Sequence, residues 1–173
     1  DLGYRVGLAG KKHIGPENVY PFETVPGICG KAAEAKPKPD DWRGVQSFIK
    51  RDPKQPFCLV IGSIHAHSPW TVGDTKYWKE EDVVLPPNLV DTPQTRSAYW
   101  RYLAEVREFD RQVGDTLKIL KDNKKLDNTI IIVLDENGTG MVGGKWTVFD
   151  WGVRSACVLK CPDSWKAKFE TDA

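Results

Sequence analysis

Long apolar runs are missing from this chain. No stretch approaches the roughly 18 residues that a membrane-crossing helix needs, and no charged start followed by an apolar segment marks a signal peptide. An excess of one charge is missing too: 25 Lys and Arg stand against 24 Asp and Glu, a net +1. No bulk field therefore directs the chain to nucleic acid or to a membrane surface. Cysteine is scarce, and Cys29, Cys58, Cys157 and Cys161 form no C-x-x-C pair and no zinc-finger spacing. Cys58 and Cys157 lie inside apolar runs and are expected as buried thiols. No internal repeat is present.

What remains is an ordinary globular composition, 40% hydrophobic and 28% charged over 173 residues, enough for one domain with a sizeable core. Tyr4 to Ala9 reads as a short buried strand, followed by a polar, proline-bearing stretch to about Asp41. Trp42 to Arg51 fits an amphipathic helix with Trp42, Val45, Phe48 and Ile49 on one face. Phe57 to Ile64 is a continuous apolar run, the pattern of a strand covered on both faces. Residues 70 to 94 are irregular and rich in proline. Thr92-Pro93 then reads as an N-cap with proline at the first helical position. The helix it opens carries Tyr99, Tyr102, Leu103, Val106, Phe109, Val113, Leu117 and Leu120 at spacings of three and four. Thr129 to Leu134 (TIIIVL) is the strongest strand signal, and Val153 to Leu159 gives another.

Alternation of buried strands and helices predicts an α/β fold with a largely parallel sheet, whose ligands bind outside the carboxyl ends of the strands. Polar clusters follow three of the strands: Lys11-Lys12-His13, His65-Ala66-His67 and Asp135-Glu136-Asn137. All three histidines of the chain lie in them, so one active-site edge is predicted. Carboxylates and an amide oxygen in LDENGTG suit a hard cation, while a plain turn accounts for the same residues. Lys145, in the glycine-rich GGKWT, reads by itself as a surface lysine.

Taken in order, these segments resemble the sulfatases of the alkaline-phosphatase-like superfamily. GKKHIGP is similar to their G-K-x-H-x-G motif and HAHSP to H-x-H-x-P; DNTIIIVLDENG and GGKWTVFDWGVRSACVLKCP are similar to the metal-loop and lysine-loop segments. GKKHIGPENVYPFE and VDTPQTRSAYWRYLAEVREFDRQVG further resemble the heparan N-sulfatase subfamily, whereas GGKWT looks more like the bacterial members. The resemblance implies an alkaline-phosphatase-like fold, a largely parallel sheet flanked by helices, with residues 1–173 forming part of a single catalytic domain. It implies that Lys11, His13, His67 and Lys145 surround a sulfate. Lys11 would bridge sulfate and nucleophile, His13 would orient the nucleophile, and His67 and Lys145 would stand near the leaving group. Cations there would stabilise the negative charge that builds on the sulfuryl oxygens and leaving atom, and a proton donor would speed departure. His65, two residues before His67, points the same way on an extended chain, and is given a structural role. Glu136 and Asn137 would ligate Ca2+, or Mg2+; most of the family has Asp where Glu136 stands.

The formylglycine that the resemblance calls for needs a C/S-x-P-x-R motif, and none occurs here; nor does the family's Asp-Asp pair. The expectation is thus an internal part of a longer sulfatase, without its N-terminal nucleophile segment and its C-terminal part, and inactive by itself. The implied partner is a sulfated carbohydrate, with N-sulfoglucosamine of heparan-type chains as the substrate expected and an O-sulfated glycan as the alternative. A phosphodiesterase or phosphonate hydrolase of the same superfamily and a non-catalytic sulfated-glycan binder also remain open. No nucleic acid or membrane partner is expected, a homodimer is left open, and an exported, periplasmic or lysosomal location follows from the resemblance alone.

Overall fold

The computed structural model describes residues 2–31, 39–162 and 164–165. Its first sheet is parallel, in the order β2-β1-β3, with β1 (Arg5–Gly10) between β2 (Glu23–Val25) and β3 (Phe57–Gly62). Leu8 and Ala9 are buried in β1, as a central strand between two neighbours requires. β2 lies inside the polar, proline-bearing stretch, where no strand is expected: its three residues are too few to show a period, and pairing with β1 makes the strand.

Helix α1 (Arg43–Lys50) covers this sheet with the face the periodicity predicts, burying Val45, Phe48 and Ile49. The Phe48 ring meets Phe57 edge to face, centroids 6.1 Å apart. Ile119 and Leu120 join these side chains with Ala9, Val25 and Ile28 in one core, against which Ile131 packs from the second sheet.

Helix α2 (Pro93–Asp122) begins where the sequence places it. Thr92 accepts a hydrogen bond from the Thr95 amide at 3.1 Å, and proline takes the first turn. Its buried stripe differs from the apolar one expected. Ala104, Glu105, Gln112, Ile119 and Leu120 are buried, while Val106 is exposed. The two polar residues go inside because loops packed on α2 need their hydrogen bonds: Gln112 Nε2 donates to Asp40 Oδ2 at 2.7 Å, and Glu105 serves the loop after β3.

The second sheet corrects the expectation of a single, largely parallel one. β4 (Ile131–Leu134) pairs antiparallel with β5 (Cys157–Lys160), and among the described residues neither strand is hydrogen-bonded to the parallel sheet. Val153, expected to open the last strand, instead ends a helical turn, α3 (Asp150–Val153), so β5 starts later. Nor is β3 covered on both faces as its apolar run predicts, since Val60 is exposed; Ile132 and Leu134 of β4 and Val158 and Leu159 of β5 are exposed too. Cys58 and Cys157 are likewise exposed rather than buried, because β3 and β5 each present a face that no described segment covers. No helix is long and apolar enough to cross a membrane among the described residues.

Candidate functional site

The three polar clusters stand where β1, β3 and β4 end. β1 and β3 run side by side and finish level, and the Lys11 amide donates to the Gly62 carbonyl at 2.7 Å. This bond sets the first loop beside the second. From the second sheet, Glu136 Oε2 comes within 3.7 Å of Lys11 Nζ, with side-chain exposures of 73% and 20%. The loop continuing from Glu136 also nears the one after β3: a Cβ on Gly140 would stand 3.9 Å from Ser68 Oγ and from the Trp70 ring. One edge therefore gathers all three clusters.

Lys11 is half-buried, while His13 and His67 are exposed. His67 Nδ1 lies 2.6 Å from the Ser68 carbonyl oxygen. A carbonyl only accepts, so Nδ1 carries a proton and Nε2 is the nitrogen presented to a ligand. His65 departs from the expected geometry. Ala66 takes a left-handed conformation, φ 68°, which turns the chain instead of extending it. The two histidines consequently point to different places. His65 goes inward, 7% exposed, with Nδ1 2.8 Å from Glu105 Oε2, which fits the structural role given to it.

Glu105 was not legible as a functional residue in the sequence. It is 2% exposed, and its Oε1 accepts from the Val72 and Gly73 amides at 2.7 and 3.3 Å. Burial pushes its carboxyl upward, but the His65 hydrogen bond, the two amides and the imidazole's charge together hold it below its ordinary value. The available signal was positional. Tyr102, Glu105, Phe109, Gln112, Thr116 and Ile119 follow one another at three- and four-residue steps, so Glu105, Gln112 and Thr116 occupy stripe positions.

The loop after β4 packs on the same helix. Burial raises the Tyr102 hydroxyl pKa, and the Tyr99 and Asp135 charges add to the rise while the nearby Thr139 side chain opposes it. Gly138 is obligatory by packing: its amide donates to Gly152 at 3.1 Å, and a Cβ there would run into the Trp151 carbonyl. Lys145 is half-buried and its amide donates to Thr139 at 2.7 Å; its Nζ lies 5.5 Å from the ring centroid of Trp146. Thr147 ties the loop by donating to the Gly143 and Gly144 carbonyls at 2.9 and 2.7 Å.

Glu136 and Asn137 offer hard oxygen donors of the kind Ca2+ or Mg2+ prefers. Asn137 donates through Nδ2 to the Gly138 carbonyl at 2.6 Å, which leaves Oδ1 for a cation. In kind they fit. In number they are a minority of the six to eight oxygens about a calcium ion, and no group of three or more His, Cys, Asp or Glu side chains gathers among the described residues.

Lysines and histidines past the ends of β1 and β3, with Glu136 and Asn137 reaching in from the end of β4, place cationic groups beside hard oxygen donors. The Sulfatase family model matches residues 42–171, and the chain belongs to that family. It is 31% identical over 172 residues to a protein of Formosa agariphila named ulvan-active sulfatase, covering 93% of this chain and 31% of that one. It is 24% identical over 195 residues to human N-sulphoglucosamine sulphohydrolase, covering 93% and 37%, and 21% identical over 134 residues to an arylsulfatase of Clostridium perfringens, covering 62% and 28%. The chain thus spans about a third of the length of these curated relatives.

Proposed function

We propose that the protein carrying this chain hydrolyses sulfate from a sulfated polysaccharide, with Lys11, His13, His67 and Lys145 around the sulfate and Glu136 and Asn137 contributing to a calcium or magnesium site. The observation that carries this reading is the convergence of the three strand-end loops, sealed by the Lys11–Glu136 contact, in a chain of the Sulfatase family. Lys11 neutralises charge on the sulfuryl oxygens. As an imidazolium whose Nδ1 proton is engaged by Ser68, His67 donates its Nε2 proton to the departing sugar oxygen as the sulfur–oxygen bond breaks, and Lys145 stabilises that oxygen. A formylglycine hydrate, expected on a C/S-x-P-x-R motif that these 173 residues do not carry, would supply the attacking oxygen when present. A bound calcium would add positive charge beside the sulfate.

The greater identity to the ulvan-active sulfatase supports an O-sulfate ester of a polysaccharide as substrate. A second reading, the sulfamate of N-sulfoglucosamine, is supported by the likeness of GKKHIGPENVYPFE to the heparan N-sulfatases and by the similarity to the human sulphohydrolase. Both leaving groups need the same cations and proton donor. Comparing kcat/KM of the full-length gene product on O-sulfated ulvan oligosaccharides and on N-sulfoglucosamine separates them. Turnover of the O-esters is the expected result. A clear preference for the sulfamate selects the second reading, and no sulfate release from either overturns the proposal.

A further inference from the structure

A single buried carboxylate holds both ends of the loop that carries His67. On the near side His65 Nδ1 meets Glu105 Oε2 at 2.8 Å; on the far side the Val72 and Gly73 amides meet Oε1. Gly73 lies so close to α2 that a Cβ on it would stand 2.6 Å from the Glu105 amide nitrogen. Between these anchors the turn is fixed from within. The His67 amide donates to the Ile64 carbonyl at 3.2 Å, and Trp70 Nε1 donates to Ala66 at 3.1 Å. The Trp70 ring rests edge-on against Tyr102 of α2, centroids 5.8 Å apart.

From this geometry we infer that Glu105 is a positioning residue for His67, fixing the loop so that Nε2 meets the leaving oxygen. The inference rests on the sulfatase reading and on the role of His67 within it. Two loop amides donate to Oε1 and the His65 ring nitrogen stands at Oε2. An ionised carboxylate accepts on both oxygens, with His65 Nδ1 carrying its proton. An amide in its place puts N–H against either the loop amides or His65, so one anchor is lost or the His65 ring must change its tautomer. Displacement of about 1 Å at a reacting group costs on the order of 100-fold in rate.

The test compares two substrates in the full-length gene product: an alkyl sugar sulfate, whose alkoxide must be protonated as it leaves, and 4-nitrophenyl sulfate, whose phenolate departs without a proton. With rates expressed per folded molecule, Glu105→Gln should lower kcat on the sugar sulfate by about 10- to 100-fold with KM little changed, and on the nitrophenyl ester by less than about twofold. In a His67→Ala background the same substitution should cost nothing further on the sugar sulfate. His65→Asn, which keeps an N–H for the carboxylate, approaches the clamp from the loop side should Glu105→Gln fail to fold, and should reproduce the substrate split more weakly. Equal losses on the two substrates, or additive losses with His67→Ala, overturn the positioning role and leave the sulfatase reading intact. Absence of turnover on both substrates by the unmodified protein overturns both.

Discussion

Lys11, at the end of β1, and Glu136, just past β4, meet across the two sheets at 3.7 Å. The pair is too exposed to hold the sheets together, since such contacts contribute about 0–1 kcal/mol. Its significance is electrostatic. A cation on Glu136 would face Lys11 as a like charge, and an anion lying between them relieves the conflict. Sulfate and metal should therefore bind with mutual support in the full-length protein, and Lys11→Ala should lower kcat/KM by about 100-fold or more. Lys11→Arg retaining most of the activity would mean that charge alone suffices. Steady-state kinetics with and without added calcium report both effects.

Metal affinity should follow Glu136 more closely than its neighbour. Glu136→Gln removes a charged donor beside Asn137, whereas Asp135 spends its backbone amide pairing with Ala156 at 3.0 Å and its side chain near Tyr102. Calcium titration by calorimetry of the full-length variants should show a weaker site for Glu136→Gln and a near-native one for Asp135→Asn. The reverse order would move the ligand by one residue.

His67→Ala and Lys145→Ala should each lower kcat on an alkyl sulfate by about 100-fold or more. His65→Ala, by contrast, should act first on stability, because it leaves Oε2 of the buried Glu105 without its partner. Thermal unfolding and kcat measured side by side separate the two classes. Identical profiles for His65→Ala and His67→Ala would contradict the opposed directions of the two rings.

Much of this arrangement could be read directly from the sequence. Thr92-Pro93 carries its own capping chemistry, and α1 shows its buried face in the spacing of Val45, Phe48 and Ile49. Local rules suffice for both. β2 was invisible because its three residues become a strand only by lying beside β1. The antiparallel return of β5 was hidden for a related reason: strand propensity says nothing about direction, and α3 takes Val153, which pattern alone assigns to the strand. At the site, the clusters at Lys11, His67 and Glu136 were identifiable from their place after apolar runs. Glu105 was not, since a glutamate in a helix reads as solvent-facing until the loop that needs it is in view.

Part of the acid response should trace to Glu105, the buried one among the carboxylates held low. Its carboxyl is held below the ordinary glutamate value of 4.5 in the folded chain, so its stabilising contribution is present above about that pH. The contribution is lost as pH falls through the lowered folded value. Chemical unfolding between pH 7 and pH 3 should show stability declining at the acid end, with a smaller decline in Glu105→Gln. At neutral pH that variant should already be less stable by about 1–3 kcal/mol, the cost of an unmet buried hydrogen bond. An unchanged acid response would assign it to other carboxylates.

Phe48 is the largest fully buried side chain, 1% exposed, and packs on Phe57. Phe48→Ala should destabilise by about 3–5 kcal/mol, measured by denaturant unfolding. A loss under about 1 kcal/mol would mean that the sheet and α1 close over the gap.

The left-handed seat at Ala66 also governs which sequences this loop tolerates. An L-residue in that conformation is strained by about 1–2 kcal/mol, a strain glycine escapes and a β-branched side chain aggravates. Between the two histidines, variation should thus run toward glycine or asparagine and away from valine, isoleucine and threonine. An insertion or deletion there would be harsher still, for it would undo the turn that sends His65 inward to Glu105 and leaves His67 exposed. The spacing of the two histidines and the turn between them form one structural unit.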